Sequence, residues 1–331
     1  MKTYRFLFIT LVGFLLSVVS CGEKKGGASD GADGADGANN GESKGTIGMT
    51  CMSLNNPFFQ FIAQIMEEKA KEAGYTLKAM DGKGDAALQN TQMNEFVSQG
   101  CVAIFLNPAD SKATAEGVRR AHEKGVPVFT FDIQMEDPEV AKLVTFHVGS
   151  DNYQGGRLAG ESMMKVTGNK GKIGIINLPK ANSCILRVNG FKDYLKENGS
   201  ELEIVSELNG EGDRIVGSNV ANDMIQANGD LVAIFAINDP CGLGAYTSVE
   251  KAGLTDQITI IGFDGSPDGK VGVYEKKLFD TPQQFPRKMA EETVATFLKH
   301  VQGDEFEKKV ILKCTHYYYE DAVKDDNRDK F

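Results

Sequence analysis

From residue 46 onward, short apolar runs alternate with longer amphipathic segments, and this alternation limits the possible folds more than any other feature. Three amphipathic segments end on a glycine, at Gly74, Gly100 and Gly125, and a later one ends at Gly253. Glycine after the last turn of a helix adopts the left-handed conformation, which lets the chain enter the next strand. Strand and helix units that alternate in this way form a parallel sheet with helices on both faces.

The alternation predicts eight strands and eight helices between residues 46 and 301. This is too many units for one open sheet, so we predict two sequentially similar α/β lobes. Open parallel sheets bind ligands beyond the carboxyl ends of their strands, so the residues that follow the strands are the candidates for a site. The predicted strands are 46–51, 77–80, 102–106, 126–131, 172–177, 204–208, 232–237 and 258–262, and the predicted helices are 57–73, 85–99, 111–124, 153–166, 184–198, 215–228, 242–252 and 286–301.

Residues 1–20 have the pattern of an export signal, because Lys2 and Arg5 begin an apolar run and no acidic residue is present. The run is too short for a membrane-spanning helix. The small residues before Cys21 resemble the bacterial lipobox, in which the cysteine is lipidated and becomes the mature N-terminus. The segment 21–45 is rich in glycine and has no aromatic or branched aliphatic residue, so we predict a flexible linker there.

Composition and motifs exclude several classes of protein. The net charge of −10 argues against nucleic acid as a partner, since phosphate binding needs clustered lysine and arginine. A G-x-G-x-x-A pattern begins at Gly82, but a dinucleotide site requires it after the first strand. The four histidines are scattered and no nucleophile motif occurs, so we predict no enzyme, no cofactor and no metal site. The cysteines after Cys21 leave the disulfide pairing open: Cys51, Cys101, Cys184, Cys241 and Cys314.

The segment after the first predicted strand combines a helix start with two aromatic residues. Asn56 fits the N-cap of a helix, and Pro57 fits its first position. Phe58 and Phe59 are neighbours on this helix and point about 100° apart, so both cannot lie on one buried stripe. We therefore expect one of the two rings to face the cleft.

Other strand ends carry polar and aromatic residues. Asn107 and Asp132 follow strands in the first half, and Asn238 and the pair Phe263-Asp264 follow strands in the second half. Each residue alone is ordinary turn chemistry. Together they place carboxylates, carboxamides and aromatic rings at one edge. Hydroxyl groups can donate directional hydrogen bonds to the carboxylates and exchange them with the carboxamides, and a sugar ring can pack on an aromatic face. This combination predicts a site for a neutral polyol.

These segments resemble the periplasmic ribose-type sugar-binding proteins, which are the solute receptors of ABC importers. The resemblance covers residues 46–312 and rests on NNPFF, SDN, RVNGF, NDPCGLGA and GFDG occurring in this order. It implies a type I periplasmic-binding fold, with two doubly wound parallel-sheet lobes joined by a three-crossing hinge. The same fold forms the ligand domain of the lac repressor family, but the chain before residue 46 has no helix-turn-helix pattern, so we expect no repressor.

The resemblance also implies ligand contacts at defined positions. Two positions depart from the ribose pattern, because Ile133 replaces an arginine and Gly212 replaces an aromatic residue. We therefore expect a pocket suited to another pentose, a ketohexose such as fructose, or a tetritol. The implied ligand-binding residues are Asn56, Phe58, Phe59, Asn107, Asp132, Ser150, Arg187, Asn238, Phe263, Asp264 and Gln284.

The implied lobes follow from the same resemblance. The N-terminal lobe would comprise residues 46–149 and 285–312, and the C-terminal lobe 150–284 and 313–331, with crossings near residues 149, 284 and 312. The protein would be a monomer, anchored by lipid to a bacterial membrane and facing the periplasm or the exterior. It would bind a monosaccharide and deliver it to an ABC permease. The alternative is a receptor that serves a chemoreceptor or sensor kinase, or one that binds a furanose-like signalling molecule.

Overall fold

The structure is a computed structural model that describes residues 43–331. The predicted export signal, the lipidation site Cys21 and the linker up to residue 42 lie outside the described residues. Within the described part of the chain, no helix is both long enough and apolar enough to cross a membrane.

Ten strands and eleven helices alternate along residues 43–331. The strands are β1 (Thr46–Cys51), β2 (Thr76–Asp81), β3 (Ala103–Leu106), β4 (Val128–Phe131), β5 (Phe146–Ser150), β6 (Lys170–Asn177), β7 (Glu201–Asn209), β8 (Leu231–Ala236), β9 (Thr259–Ile261) and β10 (Lys309–Leu312). The helices are α1 (Pro57–Glu72), α2 (Ala86–Ser98), α3 (Ala115–Glu123), α4 (Pro138–Leu143), α5 (Asn152–Thr167), α6 (Asn182–Glu197), α7 (Arg214–Ala227), α8 (Asp239–Lys251), α9 (Pro267–Tyr274), α10 (Pro286–Gln302) and α11 (Tyr319–Lys324).

The strands form two parallel sheets. The first has six strands in the order β10-β5-β4-β3-β1-β2, and the second has four in the order β7-β6-β8-β9. Every ladder in both sheets is parallel. We call each sheet, with the helices that pack on it, the first lobe and the second lobe. The predicted fold class, two parallel-sheet α/β lobes, is confirmed.

Both faces of each sheet are buried under helices, as parallel sheets require. In β3, Phe105 packs into the cluster that includes α1 and α10, whereas Ile104 and Leu106 pack into the cluster that includes α2 and α3. In β8, Phe235 and Ile234 divide in the same way between the two faces of the second sheet. This explains why the strands have continuous apolar sequences: successive side chains point to opposite faces, and both faces are dry.

The predicted helix ends are confirmed where glycine sets the backbone. Gly74, Gly100, Gly125 and Gly253 have φ angles of 86°, 72°, 72° and 70°, a region that L side chains rarely adopt. Helix α1 starts as predicted, because the side chain of Asn56 accepts a hydrogen bond from the amide of Phe58. Its position fixes the start of α1 at the carboxyl edge of the first sheet.

Five elements were not predicted, namely β5, β10, α4, α9 and α11. Helices α4 and α11 have six residues each, too few for a helical period to be recognised. Strand β10 is partly exposed along its length, so its apolar residues do not form a continuous buried run. It extends the first sheet beside β5.

Three chain segments pass between the lobes. The first leaves β5 at Ser150 and reaches α5 through Asp151, whose amide donates to Leu312 O at 2.7 Å. The other two run side by side, because Gln283 N donates to Thr315 O at 2.8 Å. The three crossings therefore lie together at one side of the interlobe gap.

Candidate functional site

A cavity of about 560 Å³ lies between the lobes at the carboxyl ends of both sheets. We call it the interlobe cavity. Its wall combines residues that follow β1 and β4 in the first lobe with residues from α6 and the ends of β6, β8 and β9 in the second. The predicted site residues on this wall are Asn56, Phe58, Phe59, Asp132, Arg187, Asn238, Asp264 and Gln284.

Both phenylalanines of the first helical turn reach the interlobe cavity. Phe58 and Phe59 line it together, with their ring centroids 5.4 Å apart and the ring planes perpendicular. The expectation that one ring faces the cleft is therefore corrected to two. Helical Cα–Cβ bonds tilt towards the N-terminus, so both side chains lean past the start of α1 although they point in different directions. The result is an aromatic wall on the first lobe.

Asp132 is the buried carboxylate of the first lobe. It has a φ angle of 61° and is 5% exposed. Its Oδ2 accepts a hydrogen bond from Asn107 Nδ2 at 3.1 Å, while Oδ1 has no partner among the described residues. Burial raises the pKa of Asp132 to about 7, although the nearby guanidinium of Arg187 opposes the rise. A left-handed aspartate is uncommon and strained, and such strain often occurs at binding sites.

Asn107 was predicted to contact the ligand, but it lies behind Asp132. It is fully buried, and its Oδ1 accepts from the amide of Met52 at 3.0 Å. Its Nδ2 also faces Phe131 O at 3.3 Å. Asn107 therefore ties the ends of β1 and β4 together and holds the carboxylate of Asp132 in place.

Arg187 is the buried cation of the second lobe. Among the lysines and arginines of residues 43–331 it alone is buried, with 3% of its surface exposed. Nε donates to Asn152 Oδ1 at 2.8 Å, and a terminal nitrogen donates to Ile237 O at 2.7 Å and to Asp264 Oδ1 at 3.1 Å. The guanidinium lies 3.9 Å from the ring centroid of Phe263. The ring of Phe263 therefore packs against the guanidinium of Arg187 and does not line the cavity. This differs from its predicted role as a ligand contact.

Helix α6 brings Arg187 to the cavity by packing very closely on α5. A Cβ atom at Gly156 would lie 2.0 Å from Arg187 O, and one at Gly190 would lie 2.0 Å from Tyr153 O. Only glycine permits this approach, because real Cβ atoms do not come under 3.0 Å of such a neighbour. The two helices therefore form one tightly packed unit behind the site.

Asp264 is the second buried carboxylate. Its Oδ1 accepts from Gln284 Nε2 at 2.7 Å as well as from Arg187. Burial raises the pKa of Asp264 to about 6, against the opposing effect of Arg187. Gln284 Oε1 has no partner within the described residues. Gln284 comes from the second crossing, so the hinge itself contributes to the wall.

Two residues that support the site were missing from the predicted set. Asp239 is fully buried, and its carboxylate accepts hydrogen bonds from Ser266, Thr281 and the amide of Phe263, which fixes the loop that carries Asp264. Asn152 holds Arg187 through Nε. Asp239 belongs to the NDPCGLGA motif and Asn152 to the SDN motif. Neither motif predicts which other side chain these residues contact.

Asn238 has two partners within its own lobe. Its Oδ1 caps α8 at the amide of Cys241, and its Nδ2 donates to Gly212 O at 3.0 Å. Gly212 has a φ angle of 68°, and a Cβ there would lie 3.3 Å from Asn238 Nδ2. The backbone at this position therefore disfavours the aromatic residue of the ribose pattern.

Ile133 makes an apolar contact between the lobes. It follows β4 of the first lobe, yet it is 2% exposed and belongs to the hydrophobic cluster of the second lobe. Cys184 and Phe263 are members of the same cluster. The cavity therefore has an apolar surface where the ribose pattern has an arginine.

Ser150 does not lie on the wall of the interlobe cavity. It lines a second cavity of about 230 Å³, which we call the hinge-side cavity because Asp151 of the first crossing and Asn152 at the start of α5 also line it. Asp132 borders both cavities. Ser150 Oγ is buried without a partner among the described residues, so it remains a polar atom that a solute or water could bind.

The five cysteines of the described residues are buried and unpaired. Burial raises the pKa of Cys184, which lines the interlobe cavity, to about 11. Its thiol is therefore protonated at neutral pH and is a poor nucleophile. Residues 43–331 contain no group of three or more His, Cys, Asp and Glu side chains that could hold a metal ion.

A model of the periplasmic binding protein domain family matches residues 47–305. The chain belongs to this family. The match spans both lobes of this periplasmic binding protein and confirms the resemblance that its motifs indicated.

Several members of the family are similar over most of the chain. The ribose import binding protein of Escherichia coli K12 is 31% identical over 271 residues, which cover 82% of this chain and 89% of that protein. The D-apiose import binding protein of Actinobacillus succinogenes is 30% identical over 223 residues, which cover 67% and 70% of the two chains. A crystal structure of an ABC transporter solute-binding protein from Agrobacterium vitis with bound D-fucose is 27% identical, with a TM-score of 0.81, and the match covers 87% of this chain and 100% of that one.

Proposed function

We propose that the protein is an extracytoplasmic receptor that binds a monosaccharide between its two lobes and delivers it to an ABC importer. The observation that carries this proposal is a pair of buried acceptors, Asp132 Oδ1 and Gln284 Oε1, that have no partner within residues 43–331 and lie in a cavity that Phe58 and Phe59 also line. Buried polar atoms without partners destabilise a protein. Sugar hydroxyl groups would supply the missing donors, and the aromatic rings would pack on the face of the sugar.

The relatives support a neutral sugar as the ligand. Two of the named relatives are import binding proteins for ribose and for D-apiose, and the solved solute-binding protein holds D-fucose. Ile133 gives this cavity an apolar surface, and Gly212 leaves it without a third aromatic ring. We therefore propose a pentose, a ketohexose or a related polyol that presents a less polar edge to Ile133. We propose that the role is binding without chemistry.

We propose that the lobes close on the sugar by hinge bending at the three crossings. The moving bodies would be residues 46–149 with 285–312, and residues 150–284 with 313–331. Asp132 stands on one body and Arg187 on the other, so a sugar bonded to both side chains favours the closed form over the open one. The closed form would then be the surface that the permease binds, and the receptor would act as a monomer.

Calorimetric titration tests the binding proposal. Among a panel of pentoses, hexoses and polyols, at least one compound should bind with a stoichiometry of one and raise the melting temperature, because a ligand that binds only the folded state stabilises it. Asp132→Ala should weaken that binding by about 10- to 100-fold, the range for a hydrogen bond to a charged group. Val301→Ala, at a position 51% exposed on α10, is the control and should change nothing. No heat from any compound would overturn the proposal.

We propose in addition that Cys21 carries a lipid that holds the receptor at the cell envelope, with residues 1–20 removed. The support is the lipobox-like sequence before Cys21 and the glycine-rich segment after it. Mass spectrometry of the N-terminal peptide from membrane-extracted protein should find diacylglycerol on Cys21. A mature N-terminus at another residue, or an unmodified Cys21 thiol, would contradict the anchor and leave the binding proposal intact.

A further inference from the structure

Helix α6, which carries Arg187, begins without a capping side chain of its own. Its N-cap residue is Ala181, whose methyl group accepts no hydrogen bond. The amide of Asn182, one of the free N–H groups of the first turn, donates to Ser111 Oγ at 2.8 Å. Ser111 lies 71 positions earlier, in the loop between β3 and α3. The first lobe thus supplies the hydroxyl that satisfies the start of a second-lobe helix.

Ser111 is fully buried, and all its polar atoms have partners. Its amide donates to Lys180 O at 3.1 Å, so the same residue makes two hydrogen bonds to the segment 180–182. Its carbonyl accepts from the amide of Glu136 at 3.1 Å, which fixes Ser111 within the first lobe. Gln134 Nε2 adds a third bond across the gap, to Asn182 Oδ1 at 3.1 Å. The start of α6 is therefore docked on the first lobe by a set of specific bonds.

The first turns of α6 also form part of the cavity wall. Ser183, Cys184 and Arg187 all line the interlobe cavity. A change at the start of the helix therefore reaches the proposed ligand contacts directly. The hydrogen bond between Asn182 and Ser111 therefore also holds this part of the cavity wall against the first lobe.

We propose that Ser111 is a positioning residue, which caps α6 from the opposite lobe so that lobe closure and the placement of Arg187 are coupled. The inference rests on the proposed hinge closure and adds to it the side chain that makes closure favourable before any sugar binds. When the lobes separate, the amide of Asn182 loses the Ser111 hydroxyl, and Ala181 offers no replacement. The closed form therefore gains a helix cap that the open form lacks.

The distance between the lobes tests this coupling. Spin labels are attached at Glu123→Cys in α3 and Asp223→Cys in α7, which are both exposed positions. Double electron–electron resonance, a pulsed electron paramagnetic resonance method, then measures the distance between the two lobes. Cys21→Ser, together with the burial of the other native cysteines, confines labelling to the introduced thiols. Without sugar, Ser111→Ala should lower the ratio of closed to open molecules by between about 2- and 30-fold, the range of measured N-cap effects. An unchanged ratio, or no closed molecules in the wild type, would overturn the proposal.

A cap supplied within α6 provides the second variant. Ala181→Ser places a hydroxyl at the N-cap itself, where it can accept from the amide of Ser183 or Cys184 and so stabilise the first turn of α6 in open and closed molecules alike. In this background Ser111→Ala should change the ratio by less than in the wild type, which is a measurable coupling in a double-mutant cycle. An equal effect in both backgrounds would show that Ser111 does not act through the stability of the first turn of α6, and would overturn the capping role. A lower melting temperature with an unchanged ratio would assign Ser111 a local structural role and would also overturn the proposal.

A matched substitution and two sugar probes complete the experiment. Ser98→Ala removes an exposed hydroxyl of the first lobe that bonds only to Asn94 O, at 2.8 Å, and should leave the ratio unchanged. With D-ribose and D-fucose as probes, Ser111→Ala should weaken binding by no more than the change in the ratio. If neither sugar binds, the proposed ligand class loses support, while the distances measured without sugar still decide the role of Ser111.

Discussion

Replacing Arg187 by alanine is expected to abolish detectable sugar binding and to lower the free energy of unfolding by about 3–5 kcal/mol. The side chains of Arg187 and Asp264 are 4% and 7% exposed and 3.1 Å apart, so the substitution leaves a carboxylate buried without its cation. It also removes the guanidinium from the face of Phe263 and from its proposed sugar contact. Urea unfolding and calorimetric titration measure the two effects.

Two further variants separate charge from binding. Arg157→Ala removes an arginine of α5 whose ion pair with Glu197 is partly exposed, with side chains 31% and 56% exposed, and this should cost no more than about 1 kcal/mol. The double variant Arg187→Met with Asp264→Asn removes both buried charges, so it should recover much of the lost stability but no binding. A loss below about 1 kcal/mol for Arg187→Ala would contradict the role of the buried pair.

The Asp132→Asn variant is expected to gain stability over the wild type as the pH rises from about 4 to about 7. Burial raises the pKa of Asp132 from 3.8 to about 7 in the folded protein, so the folded state holds a proton that the unfolded state has lost. The contribution of Asp132 to the free energy of unfolding is fully present below pH 3.8 and is lost as the pH rises through about 7. The full difference corresponds to about 4 kcal/mol, and urea unfolding of both proteins between pH 4 and pH 8 measures it.

The comparison with the variant isolates Asp132 from other groups that titrate in this range. Burial also raises the pKa of Asp264 to about 6 and that of Asp239 to about 7, so both groups likewise lower the free energy of unfolding as the pH rises. Burial lowers the pKa of His147 to about 3, so this group raises the free energy of unfolding as the pH rises. The wild type and the Asp132→Asn variant both contain it. Asp230→Asn is the control, because this carboxylate is exposed and its ion pair with Lys172 lowers its pKa. A difference between Asp132→Asn and the wild type that stays constant with pH would contradict the expectation.

The sequence predicts local features of the fold well and contacts between segments poorly. Gly74 and Asn56 were identified because a helix end depends on neighbouring residues, and both have the predicted roles. Strand β10 escaped detection because its place beside β5 is fixed by residues far away in the chain. Periodicity indicates which face of an element is buried, but it contains no information about which distant element covers that face.

The same limit applies within the candidate site. Sequence reasoning placed Asn107, Phe263 and Ser150 near the site, but it could not distinguish a side chain on the cavity wall from one behind it. Asn107 supports Asp132, Phe263 supports Arg187, and Ser150 borders the other cavity. The sequence does not predict that Ser111 caps α6, because a capping residue is expected directly before its helix. Ser111 lies 71 positions before Asn182 and belongs to the other lobe. Such positions become visible only when the lobes are brought together.

The glycine contact between α5 and α6 has a mechanical consequence. Helix α5 starts directly after the first crossing and runs for 16 residues, about 24 Å, so under the proposed hinge bending the packed pair would move as a lever that pivots near Ser150. Gly156, which touches the backbone of Arg187, is only about 6 Å along this lever. A rotation of about 10° would move Arg187 by about 1 Å and the far end of α5 by about 4 Å. In the proposed closure the pivot would lie beside Arg187, and the outer end of α5 would move about four times as far as Gly156.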